Sequence, residues 1–304
     1  MNDFVEIVDV GPRDGIQSQS ILLNTDTKLA FIERLIDAGI RRIEVASFVN
    51  PKRVPQMADV DELVSRLQKR DKVKFIGLVL NRRGFERAMA SGVDQINCTT
   101  VASETFCQRN QGASVEEMYD TIAQIVLEAQ ASKQFIGVTI AASFGCPFEG
   151  EIIPERVAEM ARKFADLGVD EIALADTIGV AAPSDVSRLL ELVAPEVGDI
   201  PLRVHFHNTR NTGVANAYAA IQAGVRIIDA SCGGVGGCPF APGATGNVAT
   251  EDVLYMMQRM GVKTGVSIEK IISTAKWLEG PLGSAMPAMV SRAGLFPPVA
   301  AEQR

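Results

Sequence analysis

Apolar strand-like runs alternate with amphipathic helix-like stretches eight times along this chain of 304 residues. The strand-like runs are Val5–Val10, Ile40–Val45, Lys74–Leu80, Gln95–Thr99, Ile136–Ala142, Glu171–Ala175, Leu202–His207 and Val225–Ala230. The helix-like stretches that follow them are Asp26–Ala38, Asp59–Lys69, Arg82–Ser91, Ser114–Ala131, Pro154–Leu167, Pro183–Ala194, Thr212–Ala223 and Thr250–Met260. Strands that alternate with helices in this way form parallel sheets. Eight such units without an evident linker predict a closed (β/α)8 barrel, the TIM-barrel fold.

Glycine marks the end of five helix-like stretches, just before the next strand: Gly39, Gly92, Gly168, Gly224 and Gly261. Glycine readily adopts the left-handed conformation that closes many helices. The alternative fold is a doubly wound open sheet. Its usual GxGxxG turn is missing, because the first strand is followed by Gly-Pro-Arg-Asp-Gly at positions 11–15.

The chain is long enough for a single domain of this kind, since such barrels commonly run to about 250 residues. We predict one domain over residues 1–304, with residues 262–304 as a C-terminal extension. The extension begins with a further helix over Ser267–Leu278 and continues as an irregular tail, Gly280–Arg304, that is rich in Gly, Pro and Ala. The tail is expected to pack on the barrel or on a partner subunit.

The composition excludes several classes of function. A net charge of −7 and a pI near 5.1, without a basic stripe, argue against a nucleic-acid partner. No apolar stretch approaches the ~18 residues of a membrane-spanning helix, and the first residues lack the pattern of a secretory signal. Five cysteines without CxxC spacing indicate reduced thiols. We therefore expect a cytoplasmic protein with no membrane partner.

His205 and His207 are the two histidines of the chain. They are two residues apart on a predicted strand, so both imidazoles point to the same face. Two neutral imidazoles on one face can chelate a divalent metal ion. Taken alone, the pair fits two hydrogen-bonded, partly buried histidines equally well.

Other polar residues collect at the predicted carboxyl ends of the strands, where the chemistry of this fold takes place. They are Arg13, Asp14, Glu44, Ser47, Asp176, Cys238 and Asn247. Each has an ordinary reading by itself; Asp14 and Asp176, for example, fit turn or capping residues. Their convergence with the two histidines on one rim predicts an active site.

The candidate ligands Asp14, His205, His207 and Asn247 form a mixed oxygen and nitrogen set without a thiolate. That set favours Mg²⁺ or Mn²⁺, with zinc as an alternative. Arg13 is adjacent to the candidate ligand Asp14. Its guanidinium would therefore lie beside any oxygen that the metal polarises, and such a cationic donor can stabilise an enolate.

The glycine-rich segment 232–247 predicts a loop that opens and closes. Cys238 lies near its centre, where loop closure would bring its thiol to the metal site. The alternative is a flexible loop with a buried apolar cysteine. Cys98, on a strand, and Cys146, before a proline, are predicted to be structural.

Several motifs together resemble the 3-hydroxy-3-methylglutaryl-CoA lyase family, from about Val5 to about Val266. They are Gly-Pro-Arg13-Asp14-Gly, Ile-Glu44-Val-Ala-Ser47-Phe-Val, Val-Pro-Gln-Met57, Gly-Cys146-Pro-Phe-Glu-Gly, Asp176-Thr-Ile-Gly, His205-Phe-His207, Gly-Gly-Cys238-Pro-Phe-Ala and Gly-Asn247-Val-Ala-Thr-Glu251-Asp. The cysteine loop with its downstream Gly-Asn is the specific marker. His-x-His is shared with aldolases and condensing synthases of the same superfamily.

The resemblance implies a metal-dependent retro-Claisen cleavage of a 3-hydroxyacyl-CoA to acetyl-CoA and a keto acid such as acetoacetate. The setting would be acyl-CoA metabolism, including leucine degradation, and the enzyme a homo-oligomer. The implied roles are metal binding by Asp14, His205, His207 and Asn247, enolate stabilisation by Arg13, a catalytic thiol at Cys238, ligand orientation or proton transfer by Glu44 and Asp176, and substrate contacts by Arg13, Gln17 and Ser47.

Three departures from the family pattern concern the substrate. Ser20 stands where the family often has lysine, Asn208-Thr209-Arg210 replaces Asp-Thr-Tyr, and Ala175 replaces glycine before Asp176. We predict that Arg210 returns a positive charge to the site from another strand. A related thioester such as citramalyl-CoA should then be cleaved at least as well as 3-hydroxy-3-methylglutaryl-CoA.

Three other functions remain open at the level of the sequence. An aldolase or condensing synthase on the same barrel typically begins Leu-Arg-Asp-Gly and lacks the cysteine loop. A non-haem Fe(II) oxygenase would use Asp14, His205 and His207 as a facial triad, and an aerobic assay with iron tests it. The third function is non-catalytic metal binding, against which Arg13 and Cys238 count.

Overall fold

The computed structural model of the protein describes residues 4–237 and 246–297. Eight parallel strands form a closed barrel in sequential order, and the last pairs with the first. The strands are β1 (Glu6–Asp9), β2 (Arg42–Ser47), β3 (Lys74–Val79), β4 (Gln95–Val101), β5 (Phe135–Ala141), β6 (Glu171–Asp176), β7 (Leu202–Phe206) and β8 (Ile227–Ala230). The predicted (β/α)8 barrel is confirmed, and the open doubly wound sheet is excluded.

Helices surround the barrel. They are α1 (Thr25–Ala38), α2 (Val60–Arg66), α3 (Arg82–Ser91), α4 (Glu104–Gln111), α5 (Val115–Ala131), α6 (Pro154–Asp166), α7 (Pro183–Val197), α8 (Gly213–Gln222), α9 (Thr250–Arg259), α10 (Ile268–Leu282) and α11 (Met289–Ala293). The five glycines predicted to end helices all have positive φ, between 74° and 106°. Among the described residues, no helix combines the length and the apolar character that a membrane crossing requires.

The main hydrophobic core fills the layer between the strands and these helices. Ile43 of β2 and Ile172 of β6 are fully buried in it, together with Phe31 and Leu35 of α1. Full burial of such a side chain contributes about 1.5–3 kcal/mol. These two isoleucines pack toward the helices, whereas the inner face of the barrel carries polar residues together with apolar ones such as Leu78.

The predicted boundaries shift in several places. The second strand begins at Arg42 and ends at Ser47, two residues later than predicted, and the seventh ends at Phe206. His207 instead forms an isolated backbone bridge with Asn247. The chain therefore turns toward the segment after β8 at this histidine, which a pattern along one strand does not reveal.

Two helices were not predicted: α4 lies in a segment to which no element was assigned, and α11 lies in the tail that was predicted to be irregular. α4 is polar and lacks an apolar stripe, but Ser103 Oγ caps it by accepting from Phe106 N at 3.2 Å. In the tail, α10 continues past Gly280 to Leu282, and α11 follows. The prediction of an irregular tail from Gly280 was thus partly wrong, because a local cap and tertiary contacts outweigh weak helix propensity.

A column of buried ion pairs crosses the interior of the barrel. Arg42 Nη1 and Nη2 donate to Glu171 Oε2 and Oε1 at 2.8 and 3.1 Å, although their strands are not neighbours in the barrel. Arg203 Nε lies 3.3 Å from Glu171 Oε1 and 3.6 Å from Asp229 Oδ1. We call Arg42, Glu171, Arg203 and Asp229 the interior ion-pair column. Its upper end, Asp229, lies directly beneath the site described below.

The C-terminal segment packs on the start of the glycine-rich segment. Ala288 N donates to Gly233 O at 3.2 Å. Glu251 accepts from Gly233 N at 2.9 Å and from Ser291 Oγ at 2.5 Å, while Asp252 accepts from Val290 N at 2.7 Å. The tail therefore packs on the barrel, as predicted, and it fixes the backbone from which the cysteine loop departs.

Candidate metal centre and active-site cavity

A cavity of about 650 Å³ opens at the carboxyl ends of the strands. Its wall includes six of the nine residues that the sequence placed on this rim, Arg13, Asp14, Glu44, Ser47, His205 and His207, together with the predicted substrate contact Gln17. Cavities of this size suit small organic ligands. The structure thus brings together residues from the ends of β1, β2 and β7, as the barrel prediction required.

Arg13 and Asp14 are presented by one turn of π-helix, Gly11–Gly15, that directly follows β1. Gly15 N donates to Val10 O at 3.1 Å, and Gly11 N donates to Asp9 Oδ1 at 2.9 Å. Such turns are rare in proteins as a whole, but those that do occur often lie at functional sites. This turn aims two consecutive side chains at the cavity, whereas successive side chains of a strand would point to opposite faces.

Glu44 and Ser47 both line the cavity although they are three residues apart. Strict alternation would place them on opposite faces of β2. The register between β2 and β3 shifts between Glu44 and Ala46, which marks a β-bulge. The extra residue restores both side chains to the inner face, a common use of bulges beside active sites.

Arg13 is held by two carboxylates. Its Nε donates to Glu44 Oε1, and its Nη1 donates to Asp14 Oδ1 at 2.9 Å. Burial lowers the pKa of Arg13, but the charges of Glu44 and Asp14 more than offset this and raise it. The guanidinium is therefore a fixed, permanently charged group next to the candidate metal ligands.

Asp14, His205 and His207 each offer a ligand atom within 4.8 Å of the other two. The imidazole centroids are 5.2 Å apart, so both rings do point to the same face. Asn247 joins the group, because its Nδ2 donates to Asp14 Oδ2 at 2.8 Å and its backbone bridges to His207. The four predicted ligands therefore converge.

These residues fit a metal ion. Within the described ranges 4–237 and 246–297, His207 Nδ1 and Asn247 Oδ1 are buried without a hydrogen-bond partner. Buried acceptors rarely stay unsatisfied, because their desolvation costs about 1–3 kcal/mol. A cation coordinated between the carboxylate, the amide oxygen and the imidazoles would satisfy them.

Close approach of the glycine-rich segment helps to position Asn247. Gly236 has φ of 151°, and a Cβ atom added there would lie 2.6 Å from Asn247 Nδ2. Asn247 Nδ2 also donates to Val235 O at 3.2 Å. A side chain at position 236 would thus displace a candidate ligand, so the glycine here serves close packing.

Asp229 is the partner of His205 that the sequence reasoning missed. His205 Nδ1 lies 3.2 Å from Asp229 Oδ2. A carboxylate on one ring nitrogen fixes the tautomer and leaves the other nitrogen for a metal. A charged residue inside the apolar run Ile227–Ala230 was the available signal. It gains meaning only once β7 and β8 are paired with His205 opposite Asp229.

The electrostatics of the site favour an ionised Asp14 and a neutral His207, the protonation states in which these side chains bind a metal. Burial would raise the pKa of Asp14, but Arg13 and the two histidines lower it to about 2. Burial, followed by the charge of His205, lowers the pKa of His207 to about 4. Burial also lowers the pKa of His205, but Asp229 outweighs it and the net shift is upward. Asp14 is thus ionised and His207 neutral at physiological pH.

The cavity wall offers polar atoms to a ligand. Gln17 Oε1, Ser47 Oγ and Asn97 Oδ1 are buried without hydrogen-bond partners in the part of the chain that the structure describes, and all three residues line the cavity. Gln17 and Ser47 were predicted to contact substrate. Asn97 was missed, because one asparagine within the apolar β4 gives no signal until the inner face of the barrel is known.

Two expectations are not met by the placement of the residues. Asp176 does not line the cavity; its two carboxylate oxygens accept from Val180 N and Ala181 N at 2.9 and 3.1 Å, so it shapes the loop after β6. Arg210 donates to Ile178 O and Gly179 O at 3.1 and 2.9 Å and also lies off the cavity wall. The prediction that Arg210 returns a positive charge to the site is therefore wrong.

The predicted catalytic thiol, Cys238, lies outside the described residues. The remaining cysteines, Cys98, Cys107, Cys146 and Cys232, are buried free thiols. Cys146 Sγ lies 2.8 Å from Ser103 Oγ, and burial raises the pKa of Cys98 to about 12. Both environments agree with the structural roles predicted for these two cysteines.

A closed (β/α)8 barrel with an Asp-His-His cluster beside an arginine at its catalytic rim defines a barrel enzyme with a candidate metal centre. The sequence profile of the HMGL-like family matches residues 4–278. The chain belongs to this family and is an enzyme of the hydroxymethylglutaryl-CoA lyase type, an oxo-acid lyase.

Individual proteins agree with this assignment. The chain is 42% identical to (R)-citramalyl-CoA lyase of Chloroflexus aurantiacus, over 98% of this chain and 97% of that protein. It is 39% identical to the mitochondrial hydroxymethylglutaryl-CoA lyase of Homo sapiens, over 95% and 89% of the two chains. The HMG-CoA lyase of Acinetobacter baumannii, solved with coenzyme A and 3-methylmalate, superimposes with a TM-score of 0.93 and 34% identity, covering 100% of this chain and 99% of that one.

Proposed function

We propose that this protein is a divalent-metal-dependent carbon–carbon lyase that cleaves carboxylated 3-hydroxyacyl-CoA thioesters to acetyl-CoA and a keto acid. One observation carries the proposal: Arg13 Nη1 contacts the candidate metal ligand Asp14 at 2.9 Å on the wall of the cavity. The guanidinium of Arg13 would thus lie beside a metal ion bound at Asp14, so that two positive charges would act on the same substrate oxygen. An enolate that forms there is stabilised more than its neutral precursor, which is what catalysis requires.

Asp14, His205, His207 and Asn247 would hold the ion, and we propose Mg²⁺ or Mn²⁺ because the set combines oxygen and nitrogen donors without a thiolate. When bound, the ion supplies Lewis-acid polarisation of substrate oxygens. Asp229 would fix the ring of His205 through Nδ1. The interior ion-pair column in turn holds Asp229, through the contact of 3.6 Å with Arg203.

The reaction is a retro-Claisen cleavage. The C3 hydroxyl group loses its proton to a base, the C2–C3 bond breaks, and C3 becomes the ketone of the keto acid. The bonding electrons pass into the thioester and form the enolate of acetyl-CoA, which is then protonated at C2. Arg13 stabilises the enolate oxygen, and Glu44 holds Arg13 in place through Nε. Cys238 is proposed as a thiol for proton transfer, on the strength of the family resemblance.

The acyl substrate we propose is citramalyl-CoA or 3-hydroxy-3-methylglutaryl-CoA, with citramalyl-CoA cleaved at least as well. The two thioesters differ by one methylene between the hydroxyl carbon and the carboxylate. Ser20, where the family often has lysine, is exposed and does not line the cavity, so position 20 offers no cation to a carboxylate. The similarity to a citramalyl-CoA lyase over nearly the whole chain supports the shorter substrate.

The test is a direct cleavage assay with both thioesters, in which acetyl-CoA is measured with saturating Mg²⁺ or Mn²⁺. We expect turnover that EDTA abolishes and that added metal restores, with kcat/KM for citramalyl-CoA equal to or above that for the methylglutaryl compound. A hundredfold preference for the methylglutaryl compound, about 2.7 kcal/mol, would contradict the substrate assignment. Folded, metal-loaded protein that cleaves neither thioester would contradict the proposed activity.

Two parallel assays on the same protein separate the other functions. A condensing synthase would release free CoA from acetyl-CoA with pyruvate or acetoacetate, and it would do so faster than it cleaves either thioester. An Fe(II) oxygenase would consume oxygen when supplied with iron and substrate in air. We expect neither result, because Arg13 next to the candidate ligands provides for a developing oxyanion rather than for oxygen activation.

A further inference from the structure

Helix α4 presents a cationic side chain to the mouth of the cavity. We propose that Arg109 on this helix, with Arg53 from the segment between β2 and α2, recognises an anionic group of the substrate, either the acyl carboxylate or a phosphate of CoA. The inference rests on the proposed function, since it takes the ligand to be a CoA thioester. Both arginines are exposed residues that line the cavity, so they lie where the cavity meets solvent.

The spacing of residues on α4 selects one face of the helix. Phe106, Arg109 and Asn110 line the cavity, and positions three and four apart lie on the same side of an α-helix. α4 is additional to the eight β/α units, since it lies between β4 and the helix α5 that completes the fourth unit. The inserted helix therefore presents one side to the cavity, and Arg109 is the cationic residue on that side.

The helix is held firmly on the barrel. Gln111 Nε2 donates to Thr99 O of β4 at 2.7 Å. At the other end, Thr105 N donates to Glu149 Oε1 at 2.5 Å, and Ser103 Oγ lies 2.8 Å from Cys146 Sγ. Both ends are therefore fixed, one to a strand and the other to the loop after β5. A side chain on α4 has a defined starting position in the cavity.

Arg109 itself is oriented by an aromatic ring. Its guanidinium lies 4.2 Å from the ring centroid of Phe148, and Phe148 packs edge-to-face on Phe106 at 5.6 Å. Stacking holds the plane of the guanidinium and leaves its edge, which carries the N–H donors, free to pair with an anion. An oriented guanidinium loses less entropy on binding than a free one.

Charge pairing around the cavity singles out the same residues. The carboxylates on the wall have cationic partners: Asp14 and Glu44 contact Arg13, and Asp229 contacts Arg203. By contrast, no carboxylate of the described chain lies within ion-pair distance of Arg53 or Arg109. Since Arg210 is bound to the backbone elsewhere, Arg53 and Arg109 are the cations on the described cavity wall that have no carboxylate partner, whereas Arg13 is paired and is assigned to the enolate oxygen.

The experiment compares Arg109→Gln with a matched control, Arg34→Gln. Arg34 is also an exposed helical arginine on an aromatic ring, 4.6 Å from the Trp277 centroid, but it lies on α1 and does not line the cavity. Three compounds are tested on the full-length, metal-loaded protein. They are CoA, whose Kd is measured by calorimetry, citramalyl-CoA, whose kcat and KM are measured, and 3-hydroxy-3-methylbutyryl-CoA, which lacks the free acyl carboxylate and whose inhibition constant is measured.

We expect Arg109→Gln to lose tenfold to a hundredfold in affinity with little change in kcat, while Arg34→Gln stays within twofold of wild type. Weaker binding of CoA and of both thioesters identifies a phosphate as the partner. Weaker binding of citramalyl-CoA alone identifies the acyl carboxylate. Arg109→Lys, which keeps the charge, should recover most of the loss.

Unchanged binding of all three compounds by Arg109→Gln, with an active wild type, would overturn the inference and leave the proposed function standing. A lysine variant as weak as the glutamine variant would also overturn it, because charge would then not be the property that is recognised. Wild-type protein that binds no CoA and cleaves neither thioester would overturn the proposed function and this inference with it.

Discussion

His205 Nδ1 lies 3.2 Å from Asp229 Oδ2, and the two residues occupy paired positions on the neighbouring strands β7 and β8. The carboxylate sets the tautomer of the imidazole, so that Nε2 faces Asp14 at 4.0 Å. Asp229 also contacts Arg203. A candidate metal ligand is therefore oriented by a residue that never reaches the metal, and this residue is in turn held by the barrel interior.

Asp229→Asn should weaken Mn²⁺ binding by about tenfold to a hundredfold, the usual effect of losing such a support. Asp229 raises the pKa of His205, so its removal lowers that pKa and makes the proton a weaker competitor of the metal. Titration calorimetry from pH 5.5 to 8 should therefore show weaker binding whose pH midpoint lies lower than in wild type. Asp26→Asn, at a side chain that is 77% exposed, serves as the control. An unshifted midpoint would count against the orienting role.

His207→Ala should reduce metal affinity at least a hundredfold and abolish cleavage, because it removes one of the two nitrogen ligands. The barrel should stay folded, since His207 lies just beyond the end of β7. Calorimetry measures the metal affinity, and the release of acetyl-CoA measures cleavage. Thermal unfolding in EDTA shows whether the barrel is still folded. Metal affinity equal to that of wild type would exclude His207 from the site.

Arg13→Gln should lower kcat far more than it raises KM. The enolate carries a charge that the thioester lacks, so the lost interaction belongs mainly to the transition state. Loss of one such donor typically costs ~2.7–4 kcal/mol, or a hundredfold to a thousandfold in kcat. Steady-state kinetics with citramalyl-CoA provide the measurement, and a change confined to KM would assign Arg13 to substrate binding alone.

Glu251→Gln should change how stability depends on pH. Burial raises the pKa of Glu251 to about 7, so the folded protein holds this proton more tightly than the unfolded chain does. The contribution is complete below about pH 4.5 and is lost as pH rises to about 7. The free energy of unfolding of wild type, relative to the variant, should fall by roughly 3 kcal/mol over that range. Urea unfolding in EDTA at several pH values measures it.

Glu62→Gln is the control for this experiment, because Glu62 is a surface residue of α2 whose side chain is 59% exposed. The pH dependence of Glu251→Gln is read relative to this control. If the two variants depend on pH alike, the carboxyl group of Glu251 does not retain its proton in the folded protein. Burial also raises the pKa of Asp9 to about 7, and the charge of Glu251 adds to that shift, so part of the pH dependence that is lost in Glu251→Gln belongs to Asp9.

The sequence predicted the barrel because each strand-helix unit carries its own periodic signal. It also predicted that Asp14, His205, His207 and Asn247 converge, because the fold brings all strand ends to one rim. Period two along β7 sufficed to place both imidazoles on one face. These inferences depend on local pattern and on one general rule of the fold, and the structure agrees with both.

The parts that sequence reasoning missed depend on register and on local caps. Asp229 becomes the partner of His205 only through the pairing of β7 with β8. Ser47 was placed on the rim correctly, but the bulge in β2 that brings it into the cavity was not predicted. Asp176 was predicted to be catalytic, yet two backbone N–H groups occupy its carboxylate. A linear pattern does not encode such contacts, since each depends on residues far away or on the exact path of a loop.

The interior ion-pair column restricts how this sequence can change. Replacing Glu171 alone would remove the partner that Arg42 and Arg203 share and leave them with Glu6 and Asp229 respectively. Breaking a buried ion pair by removing one partner typically costs about 3–5 kcal/mol. Exchanging Glu171 and Arg203 together for apolar residues of similar volume leaves fewer unpaired charges, so the double variant should be less damaged than the two single variants predict. Substitutions within the column are therefore epistatic with one another. Because Asp229 contacts both Arg203 and His205, a substitution deep in the barrel also alters the orientation of His205 at the rim.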